Sequence, residues 1–410
     1  MQKENEVSNN LKKEKINPVV LLRTIYHTTA HFSNDVFLAF FAPTLPVLIT
    51  QMHLLKVQAG ILNLGLELTA LSMPLVGRLA DKKDIRKFMI LTPAITALCM
   101  SSLTLIPNFY ALFLVLLVGG LSIYFYHAIG PADIGQVSDR SLGSMMAIWN
   151  IAGQVGFMIG PLVITAILAN SHASWIPFLF LAGLALSGLL YVLWNKLPKE
   201  TPRADGAANP QRKLDDAAKA FIIRQFIPIV GINIASSLLR SSAYAYLPIY
   251  IVEKGGSLWM SGMAVSIYFG AGILGNYIGG ILYDRIGSKA VTAISLLGFS
   301  LSFAVTIFAG GIVQLLLIAV VGTFAFMLMP TMMAMLQKNN PLDRSLTNGL
   351  FLGFNYSITA LGSVATGYLL DHFPTLTVFM VAAGVALVSL IFVPMLVDNS
   401  GVKTAAPSGN

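Results

Sequence analysis

Three ionisable residues recur every fourth position near the start of the chain: His27, His31 and Asp35. That spacing puts them on one face of a helix, with a slow drift around it. A carboxylate in an apolar site has its pKa raised towards neutrality, where histidine already titrates, so such a stripe can take a proton from one side and release it to the other. Asn34 lies beside it. Two more charges stand alone in apolar sequence, Glu67 and Arg240. Glu67 can work with Asp35 on protons or meet a cationic group. Arg240 can pair with either carboxylate, or grip a carboxylate or phosphate in a fork. For each of these residues the competing reading is structural, a fixed hydrogen bond or ion pair that holds helices together.

Other chemistries find no support. His27 and His31 have the i, i+4 spacing of metal ligands, but two ligands alone in a bend-prone membrane segment predict no metal site. Cys99 is the one cysteine, which excludes an intramolecular disulfide and a Cys-cluster metal site. No phosphate-cradling Walker loop occurs, and the glycine-rich stretch Gly270–Gly280 lies inside an apolar segment, where it serves helix packing. The reading is therefore of a protein that is not an enzyme and carries no cofactor.

The elements that must position these charges are set by composition. Of 410 residues, 56% are hydrophobic and 11% charged, where a soluble domain is roughly a quarter charged. A helix needs about 20 apolar residues to cross a bilayer, and the apolar runs are continuous rather than alternating, which excludes a transmembrane barrel. The expected fold is an all-α polytopic membrane protein with twelve transmembrane helices in two six-helix bundles. Spans are expected at 22–50, 57–79, 87–106, 109–132, 142–169, 174–195, 221–252, 258–283, 289–309, 312–336, 345–370 and 374–397. Asp35, Glu67 and Arg240 then lie roughly 15–20 Å from the nearer end of their helices. Ionisable groups so deep are costly and point to function.

Charge placement orients the chain. With the N-terminus inside, 23 of the 26 Lys and Arg residues fall on the cytoplasmic side; Lys56 and Lys254 fall outside and Arg240 within a span. This positive-inside bias predicts both termini cytoplasmic, in a bacterial-type inner membrane. It also accounts for the +8 formal charge without a nucleic-acid partner. Met1–Pro18 is polar and basic, and the long apolar stretch behind it reads as the first span rather than a cleaved leader. The chain also repeats itself. Gly77, Asp81, Arg86 and Lys87 follow the second span, and Gly280, Asp284, Arg285 and Lys289 follow the eighth, 203 positions on from Gly77 to Gly280. The expected domains are an N-terminal bundle over 1–195, a cytoplasmic linker over 196–220 and a C-terminal bundle over 221–410, with a cavity between the bundles at mid-membrane.

These paired loops resemble the signature between helices 2 and 3 of the major facilitator superfamily. The second copy has the usual turn glycine, Gly287; the first has Asp84 in that place. Gly153, Gly156, Gly160 and Pro161 in the fifth span resemble the glycine-rich motif of proton-coupled drug antiporters. Small residues at such spacing let helices approach closely. Within the superfamily, His31, Asn34 and Asp35, then Tyr124, Tyr126 and His127, then Trp149, Asn150 and Gln154, resemble the fosmidomycin-resistance type of efflux protein. Ala128 departs from that pattern, where proline is usual. The span-4 arginine of many drug antiporters is missing, with Val115 and Leu116 ahead of Gly119 and Gly120.

The resemblance implies a secondary transporter that exports a small organic compound or drug in exchange for protons. Uptake or exchange of a small organic anion held by Arg240 is the alternative. Asp35, His31, His27 and Glu67 are the expected proton-coupling residues. Asn34, Arg240, His127, Trp149, Asn150, Gln154, Tyr244, Asn355 and Tyr356 are the expected substrate contacts. Gly77, Asp81, Arg86, Asp133, Asp284 and Arg285 are the expected gate. The partners expected are the substrate, protons and lipid, and one chain holding both halves suffices as a monomer.

Overall fold

The computed structural model describes residues 18–135, 142–170, 173–198, 216–337 and 344–396, all built from helices and short connections. Most of the expected linker lies outside the described residues, as does the side chain of Asp81. The linker's end, from Asp216, is already helical.

Among the described residues, ten helices are long and apolar enough to cross a membrane. One of them, Leu258–Thr306, breaks at Gly287, whose φ of 80° is open to glycine and strained for any residue with a side chain. The break makes two crossings of it, on either side of the turn that the second loop signature marks. Arg344–His372 is a further crossing of 29 residues whose polar positions lower its apolarity. The twelve helices are α1 (Pro18–Met52), α2 (Lys56–Ala80), α3 (Arg86–Leu105), α4 (Phe109–Gly135), α5 (Leu142–Ala169), α6 (Ser174–Lys196), α7 (Ile223–Glu253), α8 (258–286), α9 (288–306), α10 (Gly311–Gln337), α11 (Arg344–His372) and α12 (Thr375–Met395). Large apolar side chains such as Leu114, Ile312 and Leu316 remain exposed, as a lipid-facing surface requires.

Two helices are irregular where they matter. The α1 crossing is interrupted at Ala39 and Phe40, ahead of Pro43 and Pro46. The α7 crossing widens into a π-helical turn over Ser242–Tyr246, next to Pro248. Such turns free backbone groups and re-aim side chains.

The two bundles meet along α2–α11 and α5–α8, and the seam is tight at one end only. Near Lys56 the backbones nearly touch: a Cβ added at Gly367 would lie 2.4 Å from the Lys56 carbonyl, and one at Gly60 2.6 Å from the Ser363 carbonyl. Further along, a Cβ at Gly353 would be 3.5 Å from the Ala70 carbonyl and one at Gly349 3.9 Å from Pro74. The second pair of helices diverges the same way, from 2.2 Å at Gly262 against Thr165, to 3.0 Å at Gly270 against Met158, to nothing within 4 Å at Gly280. The molecule is shut at the Lys56 end and splayed at the end that carries the repeated loops.

The shut end is latched. Both carboxylate oxygens of Asp371, at the end of α11, accept the first backbone N–H groups of α2, from Lys56 at 2.8 Å and Val57 at 2.9 Å. A carboxylate suits the unpaired donors and positive pole of a helix start. Lys56 pairs with Glu253 of α7 at 3.0 Å. The Tyr246 hydroxyl donates to the Lys56 and Ser363 carbonyls.

Candidate functional site

Halfway along α1, glycines of α5 let that helix press against the turn bearing Asp35. A Cβ at Gly153 would come within 2.5 Å of Asp35 Oδ2, and one at Gly156 within 2.9 Å of the Phe32 carbonyl. His127 approaches from α4. His31 Nε2 lies 3.1 Å from Asp35 Oδ2 and 3.2 Å from His127 Nε2, and His127 Nε2 lies 3.6 Å from Asp35 Oδ1. All three side chains are mostly buried, His127 least so at 13% exposure. Both rings are oriented from behind. His31 Nδ1 donates to the Trp149 carbonyl at 2.7 Å, and His127 Nδ1 to the Ile123 carbonyl at 3.0 Å. Trp149 also stacks on His31 at 3.8 Å and donates from its indole to the Tyr126 hydroxyl. Among the described residues this is the one group of His, Cys, Asp and Glu whose ligand atoms converge within 4.8 Å.

His27 belongs elsewhere. Its Nε2 lies 2.8 Å from Asp133 Oδ2 on α4, and Arg86 donates to Asp133 Oδ1 at 3.0 Å, with Arg23 at 4.0 Å. Asp133 and His27 are fully sequestered. Arg86 reaches outward as well, to Asp84 at 2.9 Å, and that hydrogen bond holds the exposed Asp84 carboxyl below its usual range. The first loop therefore closes through an Asp84–Arg86–Asp133 chain, with no positive φ at Asp84. Arg78 is exposed.

Glu67 ends the regular part of α2, where the chain tightens into a 3₁₀ turn over Leu68–Ser72. It accepts a short hydrogen bond from the Tyr124 hydroxyl. Tyr124 in turn meets Tyr356 of α11 at 5.3 Å between ring centres, so Glu67 sits one side chain from the other bundle. On that side Arg240 of α7 donates to Asn233 Oδ1 at 2.7 Å and to Asn355 Oδ1 at 3.0 Å. Both are neutral, and among the described residues no carboxylate lies within ion-pair distance of Arg240. The remaining expected contacts spread out. Tyr244, in the π turn, packs edge-on against Phe269 at 5.6 Å. Gln154 keeps a buried Oε1 without a hydrogen-bond partner. Asn150 is exposed and its amide returns to the Met146 carbonyl. Asn34 is fully buried, and its amide is consumed by Ala30, Thr92 and Thr96 between α1 and α3, which leaves nothing for a ligand. Of the gate set, Asp284 and Arg285 are exposed, and a Cβ at Gly77 would meet nothing within 4 Å.

Sequence reading did not single out Asp371 or Asn233. Asp371 had a signal in being an acid at the end of an apolar span. Asn233 lies two turns before Arg240, within reach along one helix face. Tyr126 entered only within the span-4 resemblance, with no signal that its hydroxyl would donate to the His27 carbonyl and accept from the Trp149 indole.

The comparisons agree with this architecture. A family model described as Major Facilitator Superfamily matches residues 28–341 and, again, 229–410. The uncharacterized MFS-type transporter YfnC of Bacillus subtilis (strain 168) is 23% identical over 378 residues, 89% of this chain and 88% of the relative. YcaD of Escherichia coli, another MFS-type transporter, is 25% identical over 269 residues, covering 64% of this chain and 65% of its own length. Among solved structures, a point-mutant form of the nucleoside transporter NupG superposes with a TM-score of 0.73 at 18% identity, over 92% of this chain and all of that one. The D-xylose-proton symporter does so at 0.69 and 13% identity, over 93% and 99%. With one family model spanning both bundles, a helix order that repeats and paired loop signatures at matching places, this chain belongs to the Major Facilitator Superfamily, as a transporter and not an enzyme.

Proposed function

We propose that the chain is a proton-driven exporter of a small organic compound that works by alternating access between its two bundles. The observation that carries this reading is the seam, latched at Asp371 and splayed at the loop end, with Glu67 on one side and Arg240 on the other. Charges so deep are expensive unless water and substrate reach them in turn. The positive-inside bias makes the splayed end cytoplasmic, with both termini there, in the inner membrane. Residues 1–195 and 221–410 then move as the two bodies, and one chain is sufficient.

Glu67 is the proton carrier in this scheme. Its carboxylate accepts from the Tyr124 hydroxyl, and the Tyr124–Tyr356 contact ties that hydrogen bond to the approach of the other bundle. Asp35, His31 and His127 form a second polar group, between α1 and α4. His27 acts with Asp133 and Arg86 at the gate. Export, rather than import, rests on the antiporter-like glycine motif, which seats α5 directly on Asp35. Arg240 supports a second reading, uptake or exchange of an organic anion, because its guanidinium is met by amides alone.

The test is flux into and out of proteoliposomes under an imposed pH gradient, across phosphonates, lipophilic cations and organic acids. Export predicts substrate movement against the proton flow, lost in Glu67→Gln. Movement with the proton flow, lost in Arg240→Gln, would replace it by the second reading. Full gradient-driven flux in Glu67→Gln would remove Glu67 from coupling.

A further inference from the structure

We propose that His31, Asp35 and His127 form a binding site for one exchangeable divalent transition-metal ion of the zinc class. Each histidine gives its Nδ1–H to a backbone carbonyl, Trp149 for His31 and Ile123 for His127. A carbonyl can only accept, so the proton of each neutral ring is fixed on Nδ1. Both Nε2 atoms then present lone pairs, and they face one another at 3.2 Å. The third party, Asp35, is also an acceptor. Its Oδ1 is buried without a hydrogen-bond partner, on a side chain only 4% exposed. With both rings neutral, three acceptors converge with no donor among them, two of them buried and His127 partly so, and a shared cation satisfies all three.

The geometry points to a metal ion as that cation. A tetrahedral ion bound at about 2.0–2.1 Å holds its ligand atoms about 3.3 Å apart. Here the two Nε2 atoms are 3.2 Å apart, and each faces its own oxygen of the Asp35 carboxylate, His31 at 3.1 Å from Oδ2 and His127 at 3.6 Å from Oδ1. Carbonyls behind the rings fix tautomer and orientation, as the outer partners of metal-bound histidines do. Gly153 leaves bare backbone beside the cluster; a Cβ there would stand 2.6 Å from His31 Nε2 and 2.5 Å from Asp35 Oδ2. Two imidazoles and one carboxylate leave a fourth position open, the arrangement of an exchanging ion rather than a closed structural one. The i, i+4 histidine pair of the sequence is not the site: His27 is taken by Asp133, and the second imidazole comes from α4.

The site stands apart from the export reading, since binding needs neither a gradient nor an organic substrate. The experiment uses full-length, tag-free protein in detergent, stripped of metal. It is titrated with Co2+ by absorption and with Zn2+ by calorimetry. One equivalent per chain is expected, with the cobalt spectrum of a tetrahedral nitrogen and oxygen site. His127→Ala and Asp35→Asn should each weaken Zn2+ binding by more than about tenfold, while His53→Ala and His372→Ala, both at exposed positions, should bind as the parent does. Monodispersity and melting temperature check that the variants are folded. Absence of saturable one-to-one binding, or equal binding by folded His127→Ala and Asp35→Asn, would overturn the proposal and leave a proton as the shared cation.

Discussion

The helix α1 carries two polar clusters one turn apart, and they differ in a single respect. Around Asp133, donors outnumber carboxylates: His27 and Arg86 contact it directly and Arg23 lies close. Around Asp35, the ion-pair partners among the described residues are two imidazoles whose Nδ1 protons are already given to carbonyls. The residue types are nearly the same. What separates them is whether the charges close within the protein. A closed cluster is a structural tie among α1, α3 and α4. An open one waits for a cation from outside.

That contrast can be broken in four ways, the largest first. Asp133→Ala strands buried cationic partners, and breaking a buried pair this way costs about 3–5 kcal/mol. A large fall in melting temperature in detergent is expected, and an unchanged one would mean that the cluster ties nothing together. Asp35→Asn in metal-free protein should do the opposite. It removes a buried acceptor set short of donors, so stability should stay level or rise; a loss as large as that of Asp133→Ala would erase the distinction. Asp371→Ala removes the carboxylate at the start of α2, a cap worth about 1 kcal/mol. The seam near Lys56 should then open several-fold more often, read as spin-label distances between α2 and α11. Asp84→Asn comes last. Its ion pair with Arg86 is half exposed, worth under about 1 kcal/mol. Because the folded carboxyl is held below its usual range, that contribution is present at neutral pH and fades as pH falls through the acid range. A melting curve against pH should show the small difference only above the carboxylate's unfolded pKa.

Much of the fold was legible because apolar length and loop chemistry are local properties. The span boundaries follow from continuous apolar runs, and Gly287 announced the turn between α8 and α9. The eleventh span, expected over 345–370, was also legible as an apolar run, although its polar positions lower its apolarity. The breaks at Ala39–Phe40 and Ser242–Tyr246 were not legible, since prolines mark a weak point without saying how the backbone yields. The site was half legible. Four residues overshoot a helical turn by about 40°, so across two steps the stripe rotates far enough for His27 to face Asp133 while Asp35 faces α5. Which imidazole joins Asp35 depends on how α4 packs, and no local pattern carries that. The same holds for Asn34, whose neighbours on α3 absorb its amide.

The most direct measurement is uphill transport by Glu67→Gln in proteoliposomes under an imposed pH gradient, beside the parent and with the same substrate panel. The variant is expected to fold, still bind substrate and move it only downhill, because the carboxylate that takes up the proton is gone. Accumulation against the gradient at the parent's rate would contradict it.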